Sequence, residues 1–580
     1  MAKRTELDRA FQAGRHQEVL ERAWDGPDAR FEAHEAPYVV GSLALLGRLD
    51  EALAFASELT GDPSTPTAVA VEARFFAVVG LCHTGRYAEA ASWVRQNARE
   101  ARAADARTRF FVYQGLALLR YFTGRVDRAR LASKRALEEA VVARFQLGRL
   151  LALDLRGHVL VQRGEVSAGL RVLEQAAQLA EGLGARGHAT SIECARLAYE
   201  NRHGRRGDTL EPALERVAAA SGDNLYALRS AWLELAFRGA LVGDVRRARV
   251  SLERAAEQAL PESDYRARAR FFVTLAIVSR LDRSRDEVRA ALAEARRALE
   301  AGDDRVLYTE LSAWDRVLDP ALPPLEATRA ESLVVETGSL IARVLVAMSG
   351  GAPLELAESR ESPLWTLLAS REPLEVRVRA AIERGWLGLV PVLAARDPGR
   401  HALFIGDALV ADDRGSIVLV DKLPAQAREL FAVLGGGERS KEQLVREVWR
   451  IGRYAPHRHD SVVHTAVGRL RRALGPLADW IRTTPEGYAL IDDLEVVVIG
   501  AEPRAAIAEG PPSPVVAPGG DLPERILAAL TAGPLRSTEL AERLRVSEAT
   551  ILRRLRELAA LDRVRREGAG KNTRYARAAG

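Results

Sequence analysis

The chain has 580 residues, of which 47% are apolar and 28% are charged, and its net charge is +5. This length and composition predict several globular domains and exclude a disordered or fibrous chain. The first ten residues lack the apolar run of a signal peptide, and no stretch of 18 apolar residues predicts a membrane span. Cys82 and Cys194 are too few for a disulfide framework, so we expect a reducing, cytoplasmic environment.

The positive charge is concentrated at one end of the sequence. Residues 522–577 contain 13 Arg and Lys against 7 Asp and Glu, whereas the other residues together are close to neutral. A basic excess confined to one small module is typical of proteins that bind a polyanion. This distribution favours a nucleic-acid partner for the C-terminal end.

The first half of the chain contains a repeated pattern. An apolar helix is followed by Gly, a polar residue, an apolar residue, two variable residues and Ala, and then by a second amphipathic helix. The pattern begins at Gly47, Gly85, Gly124, Gly164 and Gly243, and weaker copies begin near Gly207 and Arg283. Glycine permits a tight turn between antiparallel helices, and alanine lets them pack closely. The pattern therefore predicts helix pairs that stack on one another.

This repeat resembles the tetratricopeptide repeat, and the resemblance covers residues 1–320. It implies an α-solenoid whose concave face binds a protein or peptide partner. We expect most of the large aromatic side chains of this half to lie in the core, because aromatic residues are usually buried. They are Tyr87, Trp93, Tyr113, Tyr121, Tyr226 and Trp232.

Prolines 320, 323 and 324 end the repeats, and residues 325–398 follow a different pattern. Val344–Leu356 predicts two short strands around Gly350 and Gly351, followed by helices near Leu364–Ser370 and Val376–Trp386. The same layout returns 63–64 residues later, where Leu409, Val410 and Ala411 match Leu345, Val346 and Ala347. Two interpretations stay open: a degenerate winged-helix-like α+β module without DNA contacts, or a simple α+β linker domain.

Residues 401–495 have a more specific pattern. Two strands are predicted before an amphipathic helix, and Ser440-Lys441-Glu442-Gln443 predicts a capping box that opens a second helix. The spacing of Val463, Val467, Leu470 and Leu474 predicts the buried stripe of a third helix. The predicted elements are strands His401–Ile405 and Ile417–Val420, helices Leu423–Phe431, Ser440–Trp449 and Ser461–Leu474, and the hairpin Ile481–Tyr488.

This order resembles the effector domain of OmpR-type regulators, chiefly in the Ser-Lys-Glu-Gln-Leu…Val-Trp helix, the Gly-Arg-Leu-Arg-Arg-Ala-Leu end of the third helix and the Gly-Tyr hairpin. The resemblance implies a winged helix whose third helix enters the major groove. The residues it assigns to DNA are His464, Arg469, Arg471, Arg472 and Arg482. Pro485-Glu486 stands where the family carries an arginine, and an acidic group there repels phosphate.

Residues 496–521 predict a linker, because Ala501–Gly520 is rich in proline and glycine. Residues 522–580 then predict a second module of three helices and a hairpin. The predicted elements are helices Leu522–Thr531 and Ser537–Leu544, a third helix capped by Ser547 that runs to about Leu558, and strands Val564–Glu567 and Thr573–Tyr575.

The string from Ser537 to Thr550 resembles the MarR- and ArsR-like winged-helix superfamily. The resemblance implies that Ser547, Thr550, Arg553 and Arg554 face the major groove. It also implies that Arg566, Lys571 and Arg574 hold phosphate oxygens from the wing. The alternative is a winged helix used for protein contact, and the basic wing favours nucleic acid.

Taken together, the sequence predicts a mainly α protein: an α-solenoid followed by winged-helix modules. We expect a bacterial transcription regulator that binds double-stranded DNA in a form compatible with a dimer. We also expect it to bind a protein or peptide partner. No cofactor, metal or catalytic site is predicted, because His457, His459 and His464 have no complementary ligand set and no nucleophile–base arrangement is visible. The main alternative is a scaffold or adaptor whose winged helices bind proteins.

Overall fold

The computed structural model describes residues 6–23, 33–101, 104–205, 207, 209–222, 224–258, 264–281, 285–302, 304–318, 327–355, 360–393, 400–413, 416–420, 422–499, 521–544, 546, 548–568 and 573–578. The protein is mainly helical, as the sequence predicts, and the described strands lie between residues 400 and 577. The chain divides into two compact units, residues 1–501 and residues 502–580.

Residues 6–318, which we call the helical array, fold into consecutive helices. They are α1 Glu6–Gln12, α2 His16–Ala23, α3 Ala36–Leu45, α4 Leu49–Gly61, α5 Thr67–Thr84, α6 Tyr87–Glu100, α7 Ala106–Phe122, α8 Val126–Val142, α9 Gln146–Arg163, α10 Val166–Leu183, α11 Arg186–His203, α12 Leu210–Ala220, α13 Leu225–Val242, α14 Val245–Ala256, α15 Tyr265–Leu281, α16 Arg285–Gly302 and α17 Arg305–Leu318. A 3-10 turn, Ala33–Glu35, precedes α3. Helices that follow one another in sequence pack side by side.

The predicted turns between paired helices are confirmed at the five glycines. Gly47, Gly85, Gly124, Gly164 and Gly243 have φ of 79°, 87°, 76°, 97° and 87°. This left-handed conformation is unfavourable for residues with a β-carbon, so glycine is needed there. The alanines that follow in the pattern are fully buried: Ala52, Ala90, Ala129 and Ala248. The repeat therefore encodes both the turn and the close packing of each pair. The two weaker copies of the repeat were expected near Gly207 and Arg283. Gly207 lies just before α12, and Arg283 lies outside the described residues.

The array folds back on itself. A β-carbon at Gly187, at the start of α11, would lie only 2.4 Å from the Cα of Gly14, after α1. The Tyr87 hydroxyl of α6 donates a 2.8 Å hydrogen bond to Asp304, just before α17. Because helices distant in sequence meet at both places, the array curves around a partly open inner space.

Residues 327–393, which we call the middle segment, are helical wherever they form regular structure. The helices are α18 Ala327–Thr337, α19 Leu340–Met348, α20 Pro363–Ala369, α21 Leu374–Glu383 and α22 Leu389–Leu393. The predicted helices near Leu364–Ser370 and Val376–Trp386 are confirmed as α20 and α21.

The two strands predicted within Val344–Leu356 are wrong. Ser339 caps α19, with its Oγ accepting from the Ala342 N–H at 3.2 Å, and the helix then continues to Met348. A short apolar run is compatible with a helix or with a strand, so the N-terminal cap at Ser339 determines that this run is helical. The suggested repeat at an offset of 63–64 residues fails too, because Leu345–Ala347 is helical whereas its counterpart is a strand.

The middle segment shares one hydrophobic core with the last array helices. Trp365 of α20 packs against Trp314 of α17, with ring centroids 5.2 Å apart, and Leu364 and Val378 are fully buried in the same cluster. His203 of α11 shares a 2.8 Å hydrogen bond with Ser362, next to the start of α20. These contacts make the middle segment a continuation of the helical packing.

Residues 400–499, which we call the first module, combine strands and helices. They are β1 Arg400–Ile405, β2 Ala408–Asp413, β3 Ser416–Val420, α23 Ala425–Leu434, β4 Arg439–Ser440, α24 Lys441–Trp449, α25 Pro456–Leu474, β5 Ile481–Thr483, β6 Gly487–Leu490 and β7 Leu494–Ile499. A 3-10 turn, Gly475–Trp480, follows α25. The four-stranded sheet has the order β3-β2-β1-β7, in which β7 is parallel to β1, and β4-β6-β5 form a second sheet.

Most predicted elements of the first module are confirmed, including the capping box at Ser440 and Gln443. Two boundaries are wrong. The third helix begins at Pro456 instead of Ser461, because proline suits the first helical position and His459 Nδ1 accepts from the Ala455 N–H at 2.9 Å. Residues 496–499, predicted as linker, complete β7.

The four-stranded sheet is buried on both faces. Phe404 and Leu409 point into the core of the first module itself. Leu403, Ile405 and Val410, their neighbours in β1 and β2, point into the core shared by the array and the middle segment. Because successive side chains of a strand point to opposite faces, this alternation joins the first module to the helical packing.

Residues 521–578, which we call the C-terminal module, lie in the second unit. The elements are α26 Leu522–Ala529, α27 Ser537–Leu544, α28 Glu548–Ala560, β8 Val564–Glu567 and β9 Arg574–Arg577, with a 3-10 turn at Leu530–Ala532. Ile526, Leu540, Ile551 and Leu555 form its core, and β8 and β9 pair antiparallel. The three predicted helices and the hairpin are confirmed; residues 500–520, most of the predicted linker, lie outside the described residues.

Among the described residues, one helix, α5, is long and apolar enough to cross a membrane. Its most apolar stretch is 72% buried inside the protein, where Phe75 and Phe76 pack against Phe111 of α7. These contacts are those of a core helix in a globular array.

Candidate nucleic-acid interface

The third helix of the C-terminal module, α28, places arginine on an exposed surface. Helix α28 buries Ile551, Leu555 and Leu558 against α26 and α27. Arg553 and Arg556 fall between these positions and are exposed. The helical period therefore directs the apolar stripe inward and leaves Arg553, a predicted site residue, open to a ligand.

The hairpin of the C-terminal module carries four arginines, and all four are exposed: Arg565, Arg566, Arg574 and Arg577. Arg566 Nη2 donates to Thr573 Oγ1 of the facing arm at 3.3 Å, and Arg565 Nε lies 2.9 Å from Glu567. The two strands of this hairpin thus carry four arginines and one acidic side chain, Glu567. Positive charge of this density attracts a polyanion, such as the phosphate backbone of DNA.

The other predicted site residues of this module differ in their surroundings. Arg554 is half-buried and forms a 2.5 Å ion pair with Glu557 on its own helix, so part of its charge is satisfied. Thr550 is half-buried. Ser547 and Lys571 lie outside the described residues. Sequence reasoning missed Arg556, Arg565 and Arg577, although the charge count of residues 522–577 already pointed to them.

In the first module, Arg471 serves the fold. Its Nη2 donates to the Ile481 carbonyl oxygen at 2.7 Å and to Thr483 Oγ1 at 2.9 Å. The guanidinium also lies over the Tyr488 ring, 6.0 Å from the centroid. These contacts tie α25 to β5 and β6, so Arg471 holds the hairpin against the helix.

Three more predicted residues of the first module have partners within it. His464 Nδ1 and the Tyr488 hydroxyl share a 2.5 Å hydrogen bond. Arg482 forms a 3.0 Å ion pair with Asp492, and Arg472 Nε donates to the Gly468 carbonyl at 3.3 Å. Arg469 is exposed. Sequence reasoning missed Asp492, which is an exposed partner of the arginine assigned to the wing.

The charge of the first module also differs from that of the C-terminal module. Residues 400–499 contain 14 Arg and Lys and the same number of Asp and Glu. Asp460 is an example of the acidic groups near α25: it accepts from the Tyr454 hydroxyl and from Lys441 Nζ, and these hydrogen bonds lower its pKa. A negatively charged side chain in this region weakens attraction to phosphate.

The inner side of the helical array encloses a cavity of about 390 Å³. Apart from His16 at the start of α2 and the non-helical residues Gly14 and Asn224, its lining comes from one helix of each pair, namely the odd-numbered helices from α1 to α17. Tyr121 and Tyr226, two aromatic residues expected in the core, are on its wall. Of the other four, Tyr87 is buried, whereas Trp93, Tyr113 and Trp232 are half-buried.

Among the described residues, no group of three or more His, Cys, Asp or Glu side chains is placed to hold a metal ion. Cys82 and Cys194 are buried free thiols, and burial raises the pKa of both. No protein-family model and no curated protein matches this sequence. The functional proposals therefore rest on the residues and the geometry of the chain itself.

Proposed function

We propose that this protein is a DNA-binding transcription regulator and that its C-terminal module is a winged helix that carries the main DNA-binding surface. The observation that supports this most is the exposed arginine set of α28 and the β8–β9 hairpin. A helix following a short turn, with a basic hairpin beside it, suits insertion of the helix into the major groove and contact of the hairpin with phosphates.

The first module has the same order of helices and hairpin, and we propose that it too is a winged helix, in a different role. Its arginines are largely engaged in internal contacts, and its sheet packs into the core of the helical array. In this proposal it positions neighbouring DNA or a protein and adds little to affinity.

The helical array is proposed to be a solenoid of the tetratricopeptide type that receives the controlling protein or peptide. The even-numbered helices form the second member of each pair, and α8 exposes three large apolar side chains: Leu131, Val141 and Val142, at 60%, 58% and 70%. Exposed apolar residues on one helix fit contact with another protein.

The DNA-binding proposal is tested by the binding of the full chain to fluorescent duplex DNA of mixed sequence at several salt concentrations. We expect affinity to fall steeply as salt rises, because phosphate contacts release counterions. The triple variant R553A/R566A/R574A should lower the affinity at least about tenfold and reduce the salt slope by about three, one per lost phosphate contact.

The matched control is R128A/R130A/R135A, which removes the same charge from the exposed face of α8. It should bind DNA as the wild type does. Binding that is absent in the wild type, or that falls equally in both triple variants, contradicts the proposal. Absence of DNA binding together with capture of a defined protein through α8 favours the adaptor alternative.

A further inference from the structure

The cavity inside the helical array has the dimensions of a small-molecule site. Its volume of about 390 Å³ lies within the range of roughly 300–1,000 Å³ that is typical of ligand pockets. Helices distant in sequence close around it, as the approach of Gly14 to Gly187 shows. A folded protein domain cannot enter this space, whereas a molecule of a dozen or two heavy atoms can.

One wall of the cavity carries four arginines: Arg202 of α11, Arg229 of α13, and Arg266 and Arg270 of α15. Three of them have close carboxylate partners. Arg229 pairs with Asp264 at 3.1 Å, Arg266 pairs with Asp304, and Arg202 pairs with Glu234 at 2.5 Å and also with Glu310.

Arg270 is the exception. Its closest contacts are from Nη2 to Glu234 Oε1 at 3.4 Å and to Ser230 Oγ at 3.5 Å. The same Glu234 oxygen already accepts from Arg202 at 2.5 Å. Within the part of the chain that the structure describes, Nε and Nη1 of Arg270 have no hydrogen-bond partner. They are not sealed in the protein either, since the side chain retains 24% of its exposure beside the cavity.

The electrostatic environment of Arg270 agrees with this geometry. Burial lowers its pKa, and the guanidinium groups of Arg202 and Arg266 lower it further, while Glu234 and Glu310 act in the opposite direction without restoring it. The pKa values of Arg202 and Arg266 are raised by their own carboxylate partners. Arg270 is therefore the cation of this cluster that is least compensated, and an added anion would stabilise it.

Most of the remaining wall is apolar and aromatic. His83 packs on Phe122 and Tyr226, with ring centroids 5.2 Å apart in both cases. Burial lowers the pKa of His83 to about 4, so this imidazole is neutral near pH 7. Phe75 and Phe76 extend the same lining. Such a surface fits an apolar body attached to the anionic group.

Two acidic side chains on the wall limit the charge of the ligand. Glu310 lines the cavity beside Arg202, and Asp154 lines it from α9, where its Oδ1 lies 3.4 Å from His158 Nε2. A single negative charge is accommodated at Arg270, but a second charge would meet these carboxylates. A carboxylate also matches the planar fork that Nε and Nη1 of an arginine present.

We propose that the interior of the helical array is a binding site for a small organic monocarboxylate with an aromatic or branched apolar body, held by the Nε and Nη1 donors of Arg270. The proposal concerns the array alone and does not rest on DNA binding. It assigns to the inner side of the array a ligand, in addition to any protein that binds the outer helices.

The test is calorimetric titration of the full chain with 2-naphthoate and with 2-naphthamide, which has nearly the same shape but no charge. The wild type should bind the acid at least about tenfold more tightly than the amide. The R270M variant should lose this preference and keep the affinity for the amide. R270K, which retains the charge without the fork, should fall between the two, and the exposed R135M should behave as the wild type.

2-Naphthyl phosphate is the third ligand, and the doubly charged monoester should bind more weakly than the carboxylate. The choice of Arg270 limits structural side effects, because its contacts are long, and an unchanged thermal midpoint shows that the variant is folded. The proposal is overturned if the wild type binds neither acid nor amide, if it binds both equally, if phosphate is preferred, or if R270M keeps the preference for the acid.

Discussion

The first module and the C-terminal module share an order of helices and hairpin but differ in how their arginines are used. In the first module, Arg471 donates to the hairpin and Arg482 pairs with Asp492, and basic and acidic residues are equal in number, at 14 each. In the C-terminal module, Arg553 and the four hairpin arginines are exposed, and basic residues outnumber acidic ones by 13 to 8. We infer that the two modules share a layout but not a role, because the partners of each arginine decide whether it is available to DNA.

The two modules also differ in their connection to the remaining chain. The sheet of the first module contributes Leu403, Ile405 and Val410 to the core of the array and the middle segment. The C-terminal module has a core of its own, centred on Ile551 and Leu555. The first module is therefore an integral part of the larger unit, and the C-terminal module is an independent folding unit by its contacts.

The largest expected effect is a loss of stability when a core residue is truncated, because the two units have separate hydrophobic cores. L403A removes a fully buried side chain and should destabilise the larger unit by about 2–5 kcal/mol, the usual cost for such a truncation. I551A should destabilise the C-terminal module by a similar amount and leave the larger unit unchanged. Hydrogen exchange of each region during urea titration measures both.

The matched control for L403A is V498A in the same sheet, where the side chain is 51% exposed and a small effect is expected. A loss of protection in the array upon I551A, or no loss upon L403A, would show that the cores are not divided as described.

The second prediction compares the arginines directly. R469A/R472A/R482A in the first module should change DNA affinity less than about threefold, whereas R553A/R566A/R574A should lower it at least about tenfold, or 1.4 kcal/mol. Both remove three positive charges, so the comparison separates position from net charge. Equal losses in a fluorescence anisotropy assay would mean that both modules contact DNA to the same degree.

The third prediction concerns how the stability of the helical array depends on pH. Burial lowers the pKa of His203 to about 3 from its ordinary value of 6.5, so the unfolded state binds the proton more readily. This contribution to stability is complete above about pH 6.5 and is lost as the pH falls toward 3, by up to about 1.4 kcal/mol per pH unit. We expect the array to lose thermal stability between pH 7 and pH 5.

H203Q should make this loss shallower, because it removes the titrating group, while the exposed His457→Gln should not. The amide of Gln can still face Ser362, the partner of His203. An identical pH dependence in the wild type and H203Q would refute the assignment of the effect to this residue.

The smallest effect is expected for Arg471. R471M removes the hydrogen bonds to Ile481 and Thr483 and should cost about 1 kcal/mol, because the guanidinium is partly exposed and screened. Exchange of the amides in residues 481–490 should rise, while DNA affinity stays within about twofold. A strong loss of DNA binding without faster exchange would instead assign Arg471 to DNA.

The sequence was sufficient for elements whose pattern is local. The turn glycines, the capping box at Ser440 and the buried stripe of α25 each follow from short-range rules, and all are observed. The strands predicted within Val344–Leu356 failed because an apolar run suits either structure, and the cap at Ser339 was overlooked. Strand β7 was missed, although Leu494–Ile499 is rich in β-branched residues, because its partner β1 lies about ninety residues earlier.

The candidate sites were also hard to predict wherever they depend on contacts between residues distant in sequence. The excess of basic residues was visible in the sequence, but the partners of Arg471 and Arg482 depend on contacts across the hairpin. The cavity could not be predicted at all, because its lining comes from ten helices spread over some three hundred residues. Its four arginines are ordinary helix residues until the chain folds back and brings them to one wall.

Hydrogen exchange of the full chain with and without duplex DNA tests the central claim most directly. The account predicts slower exchange in α28 and in the β8–β9 hairpin, residues 548–577, and little change in α25 and the β5–β6 hairpin, residues 456–490. Protection confined to residues 456–490, or no protection in either module under conditions where DNA is bound, would contradict it.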